Sequence, residues 1–154
     1  MKEQKSRLLT AALWIILVLW LSLLVWLSSQ QGPASTRTSM AMARLVVGFL
    51  GLSQDRLSQV NHTLRLFMHF AGYFVLGGLA YPAFLITWPE KKRRRTEMIA
   101  ICGMAAVLDE VKKVMISGRH LSWPEAGLNV LGVLCGVLTV YGAICLRTHR
   151  KPSG

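Results

Sequence analysis

Residues 8–27 read LLTAALWIILVLWLSLLVWL, and this stretch decides the fold class. It carries no charged side chain. A helix of ~20 residues rising ~1.5 Å each crosses the ~30 Å of hydrocarbon in a bilayer, and a soluble domain has no use for such a run. The stretch exceeds the ~7–15 apolar residues of a secretory leader, and Ser28-Ser29-Gln30-Gln31 is a poor small-x-small cleavage site. It reads as a retained anchor.

Three further apolar stretches follow at residues 64–88, 98–116 and 128–146. The second has Arg65 and His69 near its start and Pro82 as a kink towards its end. The third carries Asp109, Glu110, Lys112 and Lys113 in its second half, and the fourth contains Gly132, Gly136 and Gly142. Between the first two spans, residues 40–52 are apolar except for Arg44 and too short to cross. The expected fold is all-α: an integral membrane four-helix bundle forming one domain over residues 1–154. Residues 40–52 are expected as a short interfacial or re-entrant helix in the first outer loop.

Composition agrees with this class. The chain is 53% hydrophobic and 16% charged, and 18 Lys+Arg against 7 Asp+Glu give a net charge of +11. In a membrane protein such an excess sets topology and touches anionic lipid. No nucleic-acid-binding motif accompanies it, so nucleic acid is not an expected partner. Cys102, Cys135 and Cys145 lie in apolar stretches without metal-ligand spacing and read as small packing residues. No metal or cofactor is expected.

Orientation follows from the short connections. With four spans, Lys2, Lys5 and Arg7, then Lys91, Lys92, Arg93, Arg94 and Arg95, then Arg147, Arg150 and Lys151 share one side. That side is expected to be cytoplasmic, with both termini on it. The uncharged positions 28–31 and the second polar group of residues then face outward.

That second group gathers at one depth. Arg65, His69 and Tyr73 are spaced four apart along one face of the second span, and Glu125 and Asn129 share the same spacing at the mouth of the fourth. Asp109 lies about 17 Å into the third span at helical rise, just past the midplane, with Glu110 beside it. Arg119, His120 and Ser122 connect the last two spans. Charges at membrane depth cost at least ~2.5–3.5 kcal/mol each, so they should face inward and pair. The expected pairs join Asp109 or Glu110 to Arg65, Arg119 or Lys113, with His69 donating to either carboxylate. Lys112 reads as a side chain reaching for the interface, and Gly132-x-x-x-Gly136 as a close helix contact.

The order of these residues resembles the VanZ-like family of bacterial membrane proteins. The likeness rests on Ser28-Ser29-Gln30, Arg65-x-x-x-His69-x-x-x-Tyr73 with Leu76-Gly77, Asp109-Glu110-x-x-Lys113 with Gly118-Arg119, and Glu125-x-x-x-Asn129-x-x-Gly132-x-x-x-Gly136. Family members usually have Lys at the position of Arg65, Gln at Lys113, Pro at Ser117 and Asp at Glu125. The resemblance implies the cytoplasmic (inner) membrane of a bacterium, a cell-envelope role and an influence on susceptibility to teicoplanin, a lipoglycopeptide-type antibiotic.

Three functions are weighed. The first is an outward-facing pocket that binds a polar or anionic headgroup on a membrane lipid, a lipid-linked cell-wall precursor or a lipophilic glycopeptide. Its ligand-binding candidates are Arg65, His69, Tyr73, Asp109, Glu110, Arg119, Glu125 and Asn129, with the arginines suited to anions. The second is a membrane-embedded hydrolase or transferase acting on an envelope lipid, with His69, Asp109 and Glu110 as candidate catalytic acid–base groups. No nucleophile motif accompanies them. The third, a transporter, lacks a continuing polar path: residues 79–88 and 137–146 offer only the hydroxyls of Tyr81, Thr87, Thr139 and Tyr141.

Overall fold

The computed structural model describes residues 2–30, 32–89 and 92–149, and within them the protein is all-helical. Gln31, Lys91, Arg150 and Lys151, which entered the leader and topology readings, lie outside the described residues. Five α-helices follow one another: α1 (Lys2–Ser28), α2 (Gly32–Phe49), α3 (Leu57–Thr87), α4 (Lys92–Val111) and α5 (Trp123–His149). Short 3-10 turns at Gln54–Arg56 and Lys112–Met115 lead into α3 and out of α4. Among the described residues three segments, Arg7–Ser28, Gln54–Thr87 and Trp123–Thr148, are long and apolar enough to cross a membrane.

α4 does not reach that measure, because Arg93, Arg94, Arg95 and Glu97 sit at its start and Asp109 and Glu110 at its end. Where a single span over 98–116 was expected, the α-helix stops at Val111 and tightens into the 3-10 turn. A 3-10 pitch eclipses side chains three apart, which sets Lys112 and Lys113 over Asp109 and Glu110.

α2 is also longer than expected, starting eight residues before position 40. Pro33 fits its first turn, where no N–H partner is missed. The Thr36 and Thr38 hydroxyls donate back to the Gly32 and Ala34 carbonyls at 2.8 and 3.2 Å, so the Ser/Thr-rich segment is satisfied as helix. The helix ends in a Schellman motif. Leu52 N–H donates to Val47 O at 3.0 Å and Gly51 N–H to Gly48 O at 3.4 Å, with Gly51 at φ 63°.

Side-chain contacts fix the helix directions. Trp14 Nε1 donates to Thr87 Oγ1 at 3.0 Å and Trp20 Nε1 to Gly72 O at 2.9 Å, so α1 runs antiparallel to α3. α3 and α5 run parallel: His69 meets Asn129 sixty residues on, Arg65 meets Glu125 and Tyr81 meets Tyr141. α4 returns between them and brings Asp109 to the end of α1, where Ser28 Oγ contacts its carbonyl. α2 packs on α3 through buried Ala43 and Val47. The core collects Tyr73, Leu76 and Ala80 of α3, Met98, Cys102 and Ala106 of α4, and Val133 and Val137 of α5, with Leu17 from α1.

Glycines govern the α3–α5 contact. A methyl group at Gly77 would strike the Val133 carbonyl, one at Gly132 the Phe70 carbonyl, and one at Gly136 the Phe74 carbonyl and Gly78 nitrogen. Backbone therefore lies directly on backbone, as small residues permit between membrane helices. Gly142 differs, with nothing within 4 Å of its virtual methyl. Gly136→Ala is expected to destabilise the protein by about 1–3 kcal/mol through overpacking, and Gly142→Ala to stay within about 0.5 kcal/mol of wild type. Unfolding titrations of both variants in detergent check this.

Candidate functional site

Every helix contributes to one polar end of the molecule. The start of α5 is built by Ser122, whose Oγ accepts from Glu125 N–H at 3.4 Å and whose carbonyl accepts from Ala126 N–H at 3.0 Å. Ser122-x-x-Glu125 thus has capping-box spacing, yet Glu125 does not reach back to the cap. Glu110 of α4 takes that place, its Oε1 accepting from Ser122 N–H at 3.1 Å. Glu125 is released to point between α3 and α4.

There it meets three partners. Lys113 Nζ donates to Glu125 Oε2 at 2.7 Å, His69 Nε2 lies 3.1 Å from the same oxygen, and Arg65 Nη2 lies 3.6 Å from Oε1. Lys113 is 1% exposed and also binds Glu110 Oε2 at 2.5 Å, so one buried ammonium is shared by two carboxylates. Such a charge survives away from water only because it is paired. Asn129, fully buried, offers Oδ1 to His69 Nδ1 at 3.2 Å.

The pairing differs from the sequence reading in three ways. Arg65 and His69 bind Glu125, not Asp109 or Glu110, because the parallel α3–α5 register sets residues sixty apart side by side. Lys112, read as reaching for the interface, also pairs within the protein. Its Nζ is 2.8 Å from Asp109 Oδ1 and donates to Val25 O and Ser29 Oγ at 3.0 and 3.1 Å. Arg119 meets no carboxylate among the described residues. Its Nη1 donates to Ser28 O at 2.6 Å and Gln30 O at 3.3 Å, and its Nη2 to Ser35 Oγ at 3.2 Å. The guanidinium closes the end of α1, where helix carbonyls lack intrahelical donors. The expected contact of Lys113 with Glu110 is present.

The loop that delivers Arg119 turns at Gly118, with φ 74°. Gly32 rests against the Gly118 carbonyl with no room for a side chain, and its N–H donates to Ser117 O at 3.4 Å. The first turn of α2 and the α4–α5 loop are thereby locked together, with Arg119 as the polar clasp. Burial, reinforced by the nearby Arg65 cation, lowers the Arg119 pKa from its usual value. An arginine nonetheless keeps its charge at ordinary pH.

A cavity of about 320 Å³ opens beside this cluster. Arg65, His69, Tyr73, Asp109 and Arg119 line it, whereas Glu110, Glu125 and Asn129 stand behind them as supports. Ser28 and the α2 hydroxyls of Ser35, Thr38 and Ser39 also line it, and sequence reasoning did not single out the α2 positions because they read as loop. Four cations (Arg65, Lys112, Lys113, Arg119) face three carboxylates (Asp109, Glu110, Glu125), which leaves a positive surplus at the polar end. His69, Glu110 and Glu125 present ligand atoms within 4.8 Å of one another, a spacing that suits a metal ion. Lys113 already brings its ammonium to both carboxylates, which makes a metal there redundant.

The fold and site together define an all-helical protein, with three helices long and apolar enough to cross a membrane and a buried ion-pair network beside an arginine-edged cavity. No protein-family model, curated protein or solved structure matches this chain.

Replacing Lys113 by Met is expected to cost about 3–5 kcal/mol, since Glu110 and Glu125 then face each other without the shared cation. Adding Glu110→Gln to Lys113→Met should restore part of that loss. Detergent unfolding of the single and double variants checks both values, and a double variant no more stable than the single one would contradict the shared-cation account.

Proposed function

We propose that this protein binds a polar or anionic headgroup in the cavity edged by Arg65 and Arg119, at the outer face of the cytoplasmic membrane of a bacterium. The single observation that supports the reading is the surplus of cations at a cavity whose carboxylates are all engaged. Two guanidiniums lining one cavity, of which Arg119 has no acidic partner among the described residues, suit a phosphate or carboxylate.

The membrane placement belongs to the same proposal. α3 and α5 are parallel and both long enough to cross, so the intervening chain has to return across the bilayer, and α4 is the segment that does so. Four crossings place Arg7, Arg93, Arg94, Arg95 and Arg147 on one side with both termini, and by the excess of positive charge that side is cytoplasmic. Trp14, Phe84 and Trp88 cluster near this side, with the Arg94 guanidinium 5.5 Å from the Trp88 ring centre. Such an aromatic layer fits a membrane interface. The polar end then faces outward, where α2 is the interfacial or re-entrant element.

Resemblance to the VanZ-like family adds the biological direction: an envelope protein that influences teicoplanin-type susceptibility by holding a lipid-linked precursor or the lipophilic antibiotic itself. The hydrolase or transferase reading has less support, because both ring nitrogens of His69 are engaged by Glu125 and Asn129 rather than by Asp109 or Glu110.

The test is teicoplanin and vancomycin susceptibility of a deletion host carrying wild type, His69→Ala, Asp109→Asn or Arg119→Ala, with membrane levels quantified. The expected result is a wild-type effect on teicoplanin that each variant loses at normal protein level. Loss of the effect only where the protein disappears would reduce the cluster to a structural lock. No effect of wild type would remove the antibiotic link.

A further inference from the structure

The polar cluster accounts for one end of the cavity and leaves the other unexplained. From Ser28 and Arg65 the cavity extends along α1 to Trp20 and along α3 to Val75. At about 1.5 Å per residue those stretches measure roughly 12–15 Å. The walls change character over that length. Near the cluster they are hydroxyls and guanidiniums; beyond it they are Leu23, Leu24, Leu27, Met42, Met68 and Val75. A site for a hydrophilic ion alone has no need of an apolar trough continuing from it, because burying the ion against such walls is costly.

The trough is also open on one flank. α1 and α2 each pack on α3 but scarcely on each other. Leu27 and Met42, on the two sides of that gap, are 41% and 47% exposed, while Ser28, Tyr73 and Asp109 at the polar end are buried. In a bilayer this flank faces lipid, so an amphiphile can slide in sideways without its head crossing hydrocarbon. The apolar walls offer no charge to the chain portion, and the carbonyl of the lining residue Gly72 is already taken by Trp20 Nε1.

Resting on the headgroup reading above, we propose that the occupant is a membrane lipid with a phosphate headgroup, held head-first between Arg65 and Arg119 with one chain in the trough between α1 and α2. Phosphate matches the two guanidiniums that line this cavity. Three of the five guanidinium N–H donors of Arg119 are used by Ser28, Gln30 and Ser35, which leaves its remaining donors for the ligand. A soluble phosphate shares the head chemistry but gains nothing from the apolar walls.

The experiment uses the full chain purified in a neutral detergent, with binding read by native mass spectrometry and by shift of the melting temperature. The probes are dioleoyl phosphatidic acid, dioleoylglycerol with the same chains and no phosphate, and glycerol 3-phosphate with the same head and no chains. Phosphatidic acid is expected to bind one per chain, and each of the other two at least about tenfold more weakly, a loss of ~1.4 kcal/mol or more. Ala71→Phe, which fills the trough from α3, is expected to weaken phosphatidic acid at least about tenfold and leave glycerol 3-phosphate unchanged. Met68→Trp serves as a second plug if that variant does not fold. Arg65→Gln and Arg119→Gln should each weaken both phosphate probes.

The outcomes separate the two readings. If the plugs leave phosphatidic acid binding intact while the arginine variants abolish it, the headgroup site stands and the trough is overturned. Glycerol 3-phosphate binding as tightly as phosphatidic acid overturns the trough too, in favour of a soluble anion. If neither arginine variant changes phosphate binding, the headgroup reading itself falls.

Discussion

The rest of this structure depends on how closely α3 and α5 approach. With Gly77 against the Val133 carbonyl, and Gly132 and Gly136 against the Phe70 and Phe74 carbonyls, the two backbones touch without intervening side chains. Contact this close admits one register, and it persists from Arg65–Glu125 through His69–Asn129 to Tyr81–Tyr141. Because side chains four apart share a helix face, a register set by glycines near the middle also aligns the polar ladders above it. The ion-pair network is therefore a product of apolar packing geometry, and the charges follow the glycines.

Burial then decides which charges can pair. Lys113, Glu110 and Asp109 are each 5% exposed or less, and each has an opposite charge within 3 Å. Pairing of this kind offsets a desolvation cost that would otherwise be several kcal/mol per ion. Glu110 performs two tasks at once, neutralising Lys113 and accepting the Ser122 N–H at the start of α5. Helix α4 therefore both completes the charge balance and caps its neighbour. Arg119 plays the corresponding part for α1. The polar end is thus rigidly over-determined, while the trough beside it is walled by flexible Leu and Met side chains.

Much of the fold was legible from hydropathy, because a bilayer demands long apolar runs and little else mimics them. Residues 8–27, 64–88 and 128–146 fall within or almost within α1, α3 and α5. The start of α2 was not legible, since Thr36, Thr38 and Ser39 look like loop until their hydroxyls find helix carbonyls. Four-residue spacing brought Arg65, His69, Tyr73, Glu125 and Asn129 into the polar cluster and the Glu110–Lys113 pair was expected, but the other pairings were not. Two pairs, Asp109 with Lys112 and Glu110 with Lys113, sit three apart and were available to the eye. So was the Ser122-x-x-Glu125 box. The pairs across α3 and α5 depend on a register that the sequence encodes only through which glycine meets which carbonyl, and hydropathy carries no such information.

Helix α4 alone is too charged to leave water readily, with basic residues at its entry and acidic ones towards its exit. Its carboxylates are neutralised within two turns by Lys112 and Lys113, yet Lys113 is completed only by Glu125, which lies beyond the Gly118 turn on α5. This makes α4 and α5 a single electrostatic unit. One glutamate of α5 thus completes the charge balance of α4 across the Gly118 turn, so neither helix end is electrically whole without the other.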